Sequence, residues 1–447
     1  MVTTTSSGQS PDATMDRKAY EAFLTELNRK VEGDPKITGK AFVIRPPSDD
    51  TPTAYAEFDQ RLRLAAEANI LHQRGLSADK MQEAVEDLSR HIRGMITGEG
   101  YKEGFSKTNS QSKDDDGNLA DASYLGASVA LRPTRTFAQT WGAEAGGHVS
   151  EAFQKSVSIE FIQKQAIAHE LGHGLYAAHS EKGDAQNTFP LRNEMTADAF
   201  SVLYLIQNKE PEMEKQLGSI IALRDGSLAI HDKGTTHDTS PVLRQILADM
   251  PKLKADPEFQ KKSLADLMQM ADGYSHVALH KAFPHLNQAN DLSDYEVFSK
   301  TDGMQRKYEA IQEYAYKKLH GEEWKDKTYA HVDMEKLDTN QAALLLRISE
   351  GYEKVSGNRD NPLSRDVARL RAGQPETFRD ADRILGEDRQ SVPQDKLTSL
   401  KGVKEASELF TSIAGKQSGL NVDSAPISLS TTSSVVFTAA SQSNVRT

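Results

Sequence analysis

Apolar residues along this chain recur mostly at the three-to-four-residue spacing of helices. Residues 16–31 and 53–95 show this period near the start of the chain, and residues 305–319 and 339–355 show it again in a charged region farther on. Such spacing places the apolar side chains on one face of each helix, where they can pack against a core. The pattern therefore predicts mainly helical regions on both sides of the middle of the chain.

Three short segments are candidates for strands. Residues 40–46 include the apolar run Ala-Phe-Val-Ile, and residues 127–132 and 156–161 mix β-branched and polar side chains. Because successive side chains of a strand point to opposite faces, this composition suits half-buried strands. Residues 124–162 as a whole are predicted to be extended, and an edge strand here could bind an extended peptide by backbone hydrogen bonds.

The middle of the chain contains the run His-Glu-Leu-Gly-His, which begins at His169. On a helix, residues four apart lie on one face, so His169 and His173 can direct ring nitrogens to one metal ion. The apolar stretch 194–206 predicts a second helix, which begins with Glu194 and carries Asp198 one turn farther along the same face. The two segments together supply three metal ligands: His169, His173 and Glu194.

These residue types suit a zinc-dependent hydrolase. Two neutral imidazoles and one carboxylate leave Zn²⁺ with residual positive charge and an open position, so that a bound water is acidified to a pKa of about 7. Glu170, one step round the helix, faces this water and is predicted to be the general base. Asp198 is predicted to accept a hydrogen bond from the second ring nitrogen of His169, which fixes the tautomer of that ring.

Residues 166–206 resemble the gluzincin metallopeptidases of the thermolysin type. The active-site helix of that family carries H-E-x-x-H and its next helix carries N-E-x-x-x-D, and both motifs occur here in the same order. The resemblance places the three ligands named above on the metal-ligand positions of the family. It also places Glu170 on the general base and Asp198 on the carboxylate that supports a ligand histidine.

The resemblance further implies a downstream histidine that stabilises the oxyanion of the reaction. His237, in the Gly/Thr/Ser-rich segment 234–241, is the predicted counterpart, although it can equally be interpreted as a histidine of a surface loop. His231, Tyr176 and Tyr204 are alternative donors for the same role.

A second choice of third metal ligand stays open. His179 follows His173 by six residues, which is the spacing of metzincins, but Tyr176 stands where that motif has a glycine. Without the glycine the helix is predicted to continue, which places His179 about 240 degrees round the helix from the face of His173. Glu194 is therefore the favoured ligand.

Two weaker metal patterns also occur. His276 and His280 are four residues apart, with His285 nearby, but Val277 stands where hydrolysis needs an acid. These histidines are therefore interpreted as packing or surface residues. Residues 113–118 resemble a calcium-binding loop, but the glycine offset is wrong and no glutamate closes the loop, which favours a solvated turn.

Composition narrows the classes of function. The formal net charge of -11 over 447 residues argues against nucleic-acid binding, since phosphate recognition needs a basic surface. The absence of cysteine excludes disulfides, thiolate zinc sites and cysteine nucleophiles. Residues 1–15 lack an apolar signal segment, and no apolar run is long enough for a membrane span. The protein is therefore predicted to be cytoplasmic, or exported by a route independent of a signal peptide.

The predicted fold class is α+β. It contains a zincin-like catalytic region, in which the active-site helix lies beside a small sheet, and mainly helical regions flank it. The predicted regions are a disordered N-terminus at 1–15, a mainly helical region at 16–97, the zincin-like metallopeptidase domain at 98–250, a helical region at 251–355, and a polar, largely disordered tail at 356–447.

The predicted function is that of a zinc-dependent endopeptidase that binds one Zn²⁺ per chain and hydrolyses a protein or peptide substrate. A metal-binding but inactive scaffold and a helical protein-interaction module are the alternatives. The intact Glu170 argues against the first, and the paired second helix argues against the second. The polar, Ser/Thr-rich ends would suit a secreted bacterial effector and equally a housekeeping cytosolic peptidase.

Overall fold

Helices make up most of the part of the chain that the structure describes. The computed structural model describes residues 17–37, 42–44, 51–60, 104–107, 127–130, 148–179, 190–230, 237–282, 294–322 and 332–388, and the single positions 79, 82 and 86. Its elements, in chain order, are α1 (Arg17–Gly33), β1 (Phe42–Ile44), β2 (Gly104–Lys107), β3 (Ala127–Ala130), α2 (Glu151–Ser156), α3 (Ile159–His179), α4 (Pro190–Gln207), α5 (Met213–Ile230), α6 (Ser240–Ala255), α7 (Pro257–Gln260), α8 (Leu264–Ala282), α9 (Asp294–His320), a 3-10 turn (Met334–Lys336), α10 (Thr339–Ser356), α11 (Pro362–Gly373) and α12 (Pro375–Asp388).

Helix α4 lies at the centre of the packing. Every residue from Met195 to Ile206 is at most 1% exposed, because α3, α6 and α8 all pack against this helix. A helix that is apolar around most of its circumference is stable only when it is buried in this way. No helix within the described stretches is both long and apolar enough to cross a bilayer.

The junction before α3 corrects the strand predicted over residues 156–161. The Ser150 side chain accepts a hydrogen bond from the Phe153 amide and begins α2, which ends at Ser156. The Ser158 hydroxyl then accepts a hydrogen bond from the Phe161 amide at 3.2 Å, near the start of α3. Side-chain caps of this kind satisfy amides at the start of a helix. The predicted strand is therefore wrong: the segment contains the end of α2 and the beginning of α3.

The predicted α+β class was wrong, because the described part of the chain is a helical fold. Its strands are three segments of three or four residues, paired in the order β1-β3-β2. β1 is parallel to β3, with Phe42 opposite Ala127, and β2 is antiparallel to β3. The segments predicted as strands at 40–46 and 127–132 each contain a short strand, but the apolar core is formed by helices that pack together. A class that gives sheet and helix comparable weight does not describe this fold.

The predicted disordered tail was also wrong in its first part. Asn361 caps α11 in a reciprocal arrangement with Ser364, and α12 packs against α10. Leu370 and Phe378 are fully buried, so these polar-looking segments are amphipathic helices. The described residues belong to one compact unit within residues 1–392, and residues 393–447 lie outside the described part of the chain. Helix α10 packs against α5, across the boundary predicted at residue 250.

Two glycines allow α5 and α10 to approach closely. A Cβ atom added to Gly351 of α10 would lie 2.6 Å from the backbone nitrogen of Gly226 on α5. A Cβ atom added to Gly226 would lie 2.9 Å from Cγ2 of Val355. Backbone atoms cannot yield as the end of a flexible side chain can, so the contact requires glycine at both positions.

We expect Gly351→Ala to lower the free energy of unfolding by about 1–3 kcal/mol, the usual cost of overpacking a core. Gly386→Ala is the matched control, because Gly386 lies within α12 and its added Cβ would meet nothing within 4 Å. There the substitution should stabilise the protein by about 0.5–1 kcal/mol through helix propensity. Urea unfolding followed by circular dichroism measures both. Equal stabilities of the two variants would contradict the close contact.

Candidate metal centre

Helices α3 and α4 bring three ligating side chains together in the interior. The Nε2 atoms of His169 and His173 are 3.0 Å apart, and Glu194 Oε2 lies 3.3 Å from the first and 3.7 Å from the second. Ligands about 2.0–2.1 Å from a tetrahedrally coordinated metal ion are themselves about 3.3 Å apart. The three separations bracket this value, so the group could hold a metal ion.

The carboxylate of Glu194 supplies an independent test of that fit. Its Oε2 atom is buried and accepts no hydrogen bond from any residue that the structure describes. The side chains of His169, His173 and Glu194 are at most 9% exposed, so solvent does not compensate. A buried carboxylate oxygen without a donor is costly. A cation between the three side chains would satisfy it.

Asp198 orients His169 from the side opposite the ligating nitrogen. Its Oδ1 atom accepts a hydrogen bond from Nδ1 of His169 at 2.7 Å, which is the contact predicted from the sequence. The same oxygen accepts hydrogen bonds from Gln165 at 2.9 Å and Arg224 at 2.8 Å, and the hydroxyl of Thr239 donates to Oδ2. With Nδ1 engaged, Nε2 of His169 is left to face the metal site.

The pKa of the Asp198 carboxyl lies well below its ordinary value. Burial opposes its ionisation, but the positive charges of Arg224 and His169 and the hydrogen bonds from His169 and Thr239 outweigh that cost. Asp198 is therefore a permanent negative charge in the interior, held in place by donors from three parts of the chain.

His173 is oriented in the same manner by a neutral group. Its Nδ1 atom lies 3.0 Å from Oδ1 of Asn193, the residue before the third ligand. If Nδ1 carries the proton and donates it to the amide oxygen, Nε2 keeps a lone pair for a metal ion. The two histidines thus both present Nε2 to the same point, although they rely on different partners.

The charges of the site favour a cation. Burial acts to lower the pKa of His169, but the charge of Asp198, its hydrogen bond to this ring and the nearby Glu194 raise the pKa to about 10. Burial acts to raise the pKa of Glu194, but His237, His173 and His169 together hold it far below its ordinary value. Two ionised carboxylates therefore share this pocket with the imidazoles, and a metal ion would take the place of the proton on His169.

Glu170 and His237 border the ligand group. Glu170 follows His169 on α3 and is half-buried, one helical step from the ligand face. His237 lies between α5 and α6, with Nε2 3.9 Å from Oε2 of Glu194 and a side chain that is 32% exposed. Burial lowers the pKa of His237 to about 4, although the negative charge of Glu194 acts to raise it. The ring is therefore neutral near pH 7 and can donate one N–H.

The other predicted candidates do not join this group. Helix α3 continues to His179, as predicted when Glu194 was favoured over it, and His276 belongs to α8. The ring of Tyr204, an alternative oxyanion donor, is fully buried and packs against Phe23 of α1. Within the described stretches, the two ligand histidines and Glu194 are the only group found with metal-ligand geometry. His231, His285 and residues 113–118 lie outside the described residues, as does the side chain of His280.

Sequence reasoning missed the residues that hold Asp198 and His173. Gln165, Arg224, Thr239 and Asn193 have no spacing that marks them as partners, and Thr239 is separated from Asp198 by 41 positions. One signal was present: Arg224 and Asp225 place two charges within the mostly apolar, buried stretch 220–230, and a buried charged residue needs a partner. The identity of that partner depends on the tertiary fold.

Comparison of the chain with models of known protein families, with curated proteins and with solved structures found no match. The gluzincin resemblance therefore remains a prediction from the two motifs, and the geometry of the site is the support for any function.

We expect the purified protein to bind one divalent metal ion per chain. His173→Ala should weaken binding by well over tenfold, since loss of even a partner outside the ligand shell costs about 10–100-fold. His179→Ala is the matched control on the same helix and should keep full stoichiometry. Metal analysis by mass spectrometry and titration with Zn²⁺ measure both. Full stoichiometry in His173→Ala, or loss of metal in His179→Ala, would refute this ligand set.

Proposed function

We propose that this protein is a zinc-dependent endopeptidase of the gluzincin type that hydrolyses peptide bonds of a protein or peptide substrate. The observation that carries the proposal is the buried His169, His173 and Glu194 group, whose ligating atoms all lie within 4.8 Å of one another. Its supporting hydrogen bonds to Asp198 and Asn193 strengthen the case, because they prearrange both rings.

The ligand chemistry supports zinc over other ions. Zinc hydrolases commonly bind Zn²⁺ through two imidazoles and one carboxylate and leave its fourth position open for water or substrate. Mg²⁺ and Ca²⁺ instead prefer oxygen atoms as all of their ligands. When bound, Zn²⁺ would lower the pKa of a coordinated water and polarise the carbonyl group of a substrate. His169, His173 and Glu194 would hold it.

Glu170 supplies the base that the hydrolysis needs. A carboxylate next to a ligand histidine can accept the proton of the attacking water and return it to the leaving amine. His237 supplies an N–H from a different segment of the chain. Because this ring is neutral near pH 7 and partly exposed, it can donate a hydrogen bond to the developing oxyanion without bringing a second positive charge.

We expect Glu170→Gln to keep zinc but to lose at least about 100-fold in turnover, because the variant keeps the shape of the side chain and removes the proton acceptor. Glu160→Gln is the matched control on the same helix. Its side chain is 36% exposed in an ion pair with Lys164, and the change should leave turnover near that of the wild type. Cleavage of casein by metal-loaded protein measures both.

Other outcomes of that assay identify the alternatives. A wild-type protein that binds zinc and cleaves no substrate would fit a metal-binding scaffold. A protein without metal would fit a helical interaction module. Unchanged turnover in metal-loaded Glu170→Gln would contradict the role of Glu170 alone.

We expect His237→Ala to lower kcat by about 100-fold, the scale found when one oxyanion donor is removed. The three zinc ligands are untouched, so metal content and KM should stay the same. His276→Ala is the matched control, because this partly buried histidine of α8 lies outside the ligand group. Steady-state kinetics and metal analysis check the expectation. A change confined to KM would argue against oxyanion stabilisation by His237.

A further inference from the structure

The four residues from His237 to Ser240 make side-chain contacts with Glu194, Asp198 and Arg347. His237 lies beside Glu194, and the Thr239 hydroxyl donates to Asp198. The backbone amide of Thr239 donates to the carbonyl oxygen of His237 at 2.8 Å, which closes a tight turn. The side chains of Asp238 and Ser240 both accept hydrogen bonds from the guanidinium group of Arg347. The segment is therefore held by contacts with Asp198 on one helix and Arg347 on another.

Arg347 reaches this segment from α10, more than 100 residues along the chain. Its Nη1 and Nη2 atoms donate to the two carboxylate oxygens of Asp238 at 2.6 and 2.7 Å. Nη1 also donates to the hydroxyl of Ser240 at 2.6 Å and lies 3.3 Å from Oδ1 of Asp225 on α5. A planar guanidinium that binds both oxygens of a carboxylate fixes orientation as well as distance.

The surroundings of Arg347 are dry and electrically balanced. Arg347, Asp225 and Asp238 are at most 6% exposed, and Arg244 of α6 donates to the second oxygen of Asp225. Two guanidinium groups thus meet two carboxylates. Removal of one member leaves a buried charge unpaired, which is strongly unfavourable, so the arrangement tolerates little displacement.

From these contacts we propose that Arg347 is a positioning residue for His237. By holding Asp238 within the turn and Ser240 just after it, Arg347 keeps the His237 ring beside Glu194. The consequence for catalysis rests on the proposed peptidase function, whereas the placement of the ring does not. Helix α10 then contributes a residue to the support of the metal centre, although it lies outside the predicted catalytic domain, residues 98–250.

Two substitutions test this role, and both keep a positive charge at position 347. Arg347→Lys keeps the positive charge and loses the two-pronged contact, and Asp238→Asn weakens the same contact from its other side. Val355→Ala is the matched control, because Val355 lies on the same helix, is fully buried and meets α5 at Gly226. It should destabilise the packing of α10 and leave the His237 turn in place.

Two readouts separate positioning from general destabilisation. The first is the ring signal of His237 in the NMR spectrum of metal-free, histidine-labelled protein, assigned by its absence in His237→Ala. We expect the chemical shift of this signal to change in Arg347→Lys and Asp238→Asn. In Val355→Ala it should keep its wild-type value. The second is kinetics of the zinc-loaded protein. There kcat should fall by about 10–100-fold in both test variants with KM and zinc content unchanged, since displacements of about 1 Å can cost 100-fold.

The double variant adds a check on the shared contact. If Arg347 and Asp238 act through each other, its loss of kcat should be smaller than the product of the two single losses. Multiplicative losses, an unmoved His237 signal, or a decrease in kcat no larger than that of Val355→Ala would overturn the proposal. A wild-type protein without zinc or proteolysis would defeat the proposed function, and the His237 signal would still decide the role of Arg347.

Discussion

The metal centre depends on how closely α3 and α4 approach each other at Gly172. A Cβ atom at this position would lie 2.9 Å from Cα of Ala197 and 3.2 Å from its carbonyl oxygen, so even alanine would separate the helices. Gly172 directly precedes His173, and Ala197 lies three residues after Glu194. A close contact between the two helices therefore lies next to the place where the ligands meet. Small residues at the crossing permit a site in which ligating atoms are only 3.0–3.7 Å apart.

Burial of α4 explains why the rest of the site is so extensively hydrogen-bonded. Asp198 is fully buried, and an ionised carboxylate in that position is tolerated only with several strong donors. Those donors come from α3, from α5 and from the turn at Thr239, so the requirement to satisfy one carboxylate draws three segments together. The orientation of His169 follows from this network. Glu194 is the exception in the same helix, because its Oε2 has no hydrogen-bond donor within the described residues.

The local parts of this arrangement could be predicted from the sequence. Helical periodicity alone places Glu194 and Asp198 on one face, and the resulting contact of Asp198 with His169 is present in the structure. Periodicity failed where a cap overrode it, as at Ser158, where alternating residues begin a helix. Composition misled where it disagreed with the spacing of the apolar residues. Residues 362–388 are polar on average, yet Phe378 and its apolar neighbours recur at helical intervals and are buried. The α+β class was wrong for a related reason: short strand patterns were weighted equally with longer helical ones.

The contacts made by Arg347 could not be predicted in this way, because no periodic pattern relates positions 109 residues apart. Buried ion pairs of this kind add little net stability compared with apolar packing, since desolvation offsets most of their attraction. They do discriminate strongly against misplaced partners, because a shifted carboxylate such as Asp238 or Asp225 loses its counter-charge in a dry environment. The described part of the connection between α5 and α6, from His237 to Thr239, is tied to the rest of the structure by side-chain contacts with Asp198 and Arg347. The main effect of the ion pairs around Arg347 is therefore to fix the position of the turn that contains Asp238, and they add only modestly to the stability of the fold.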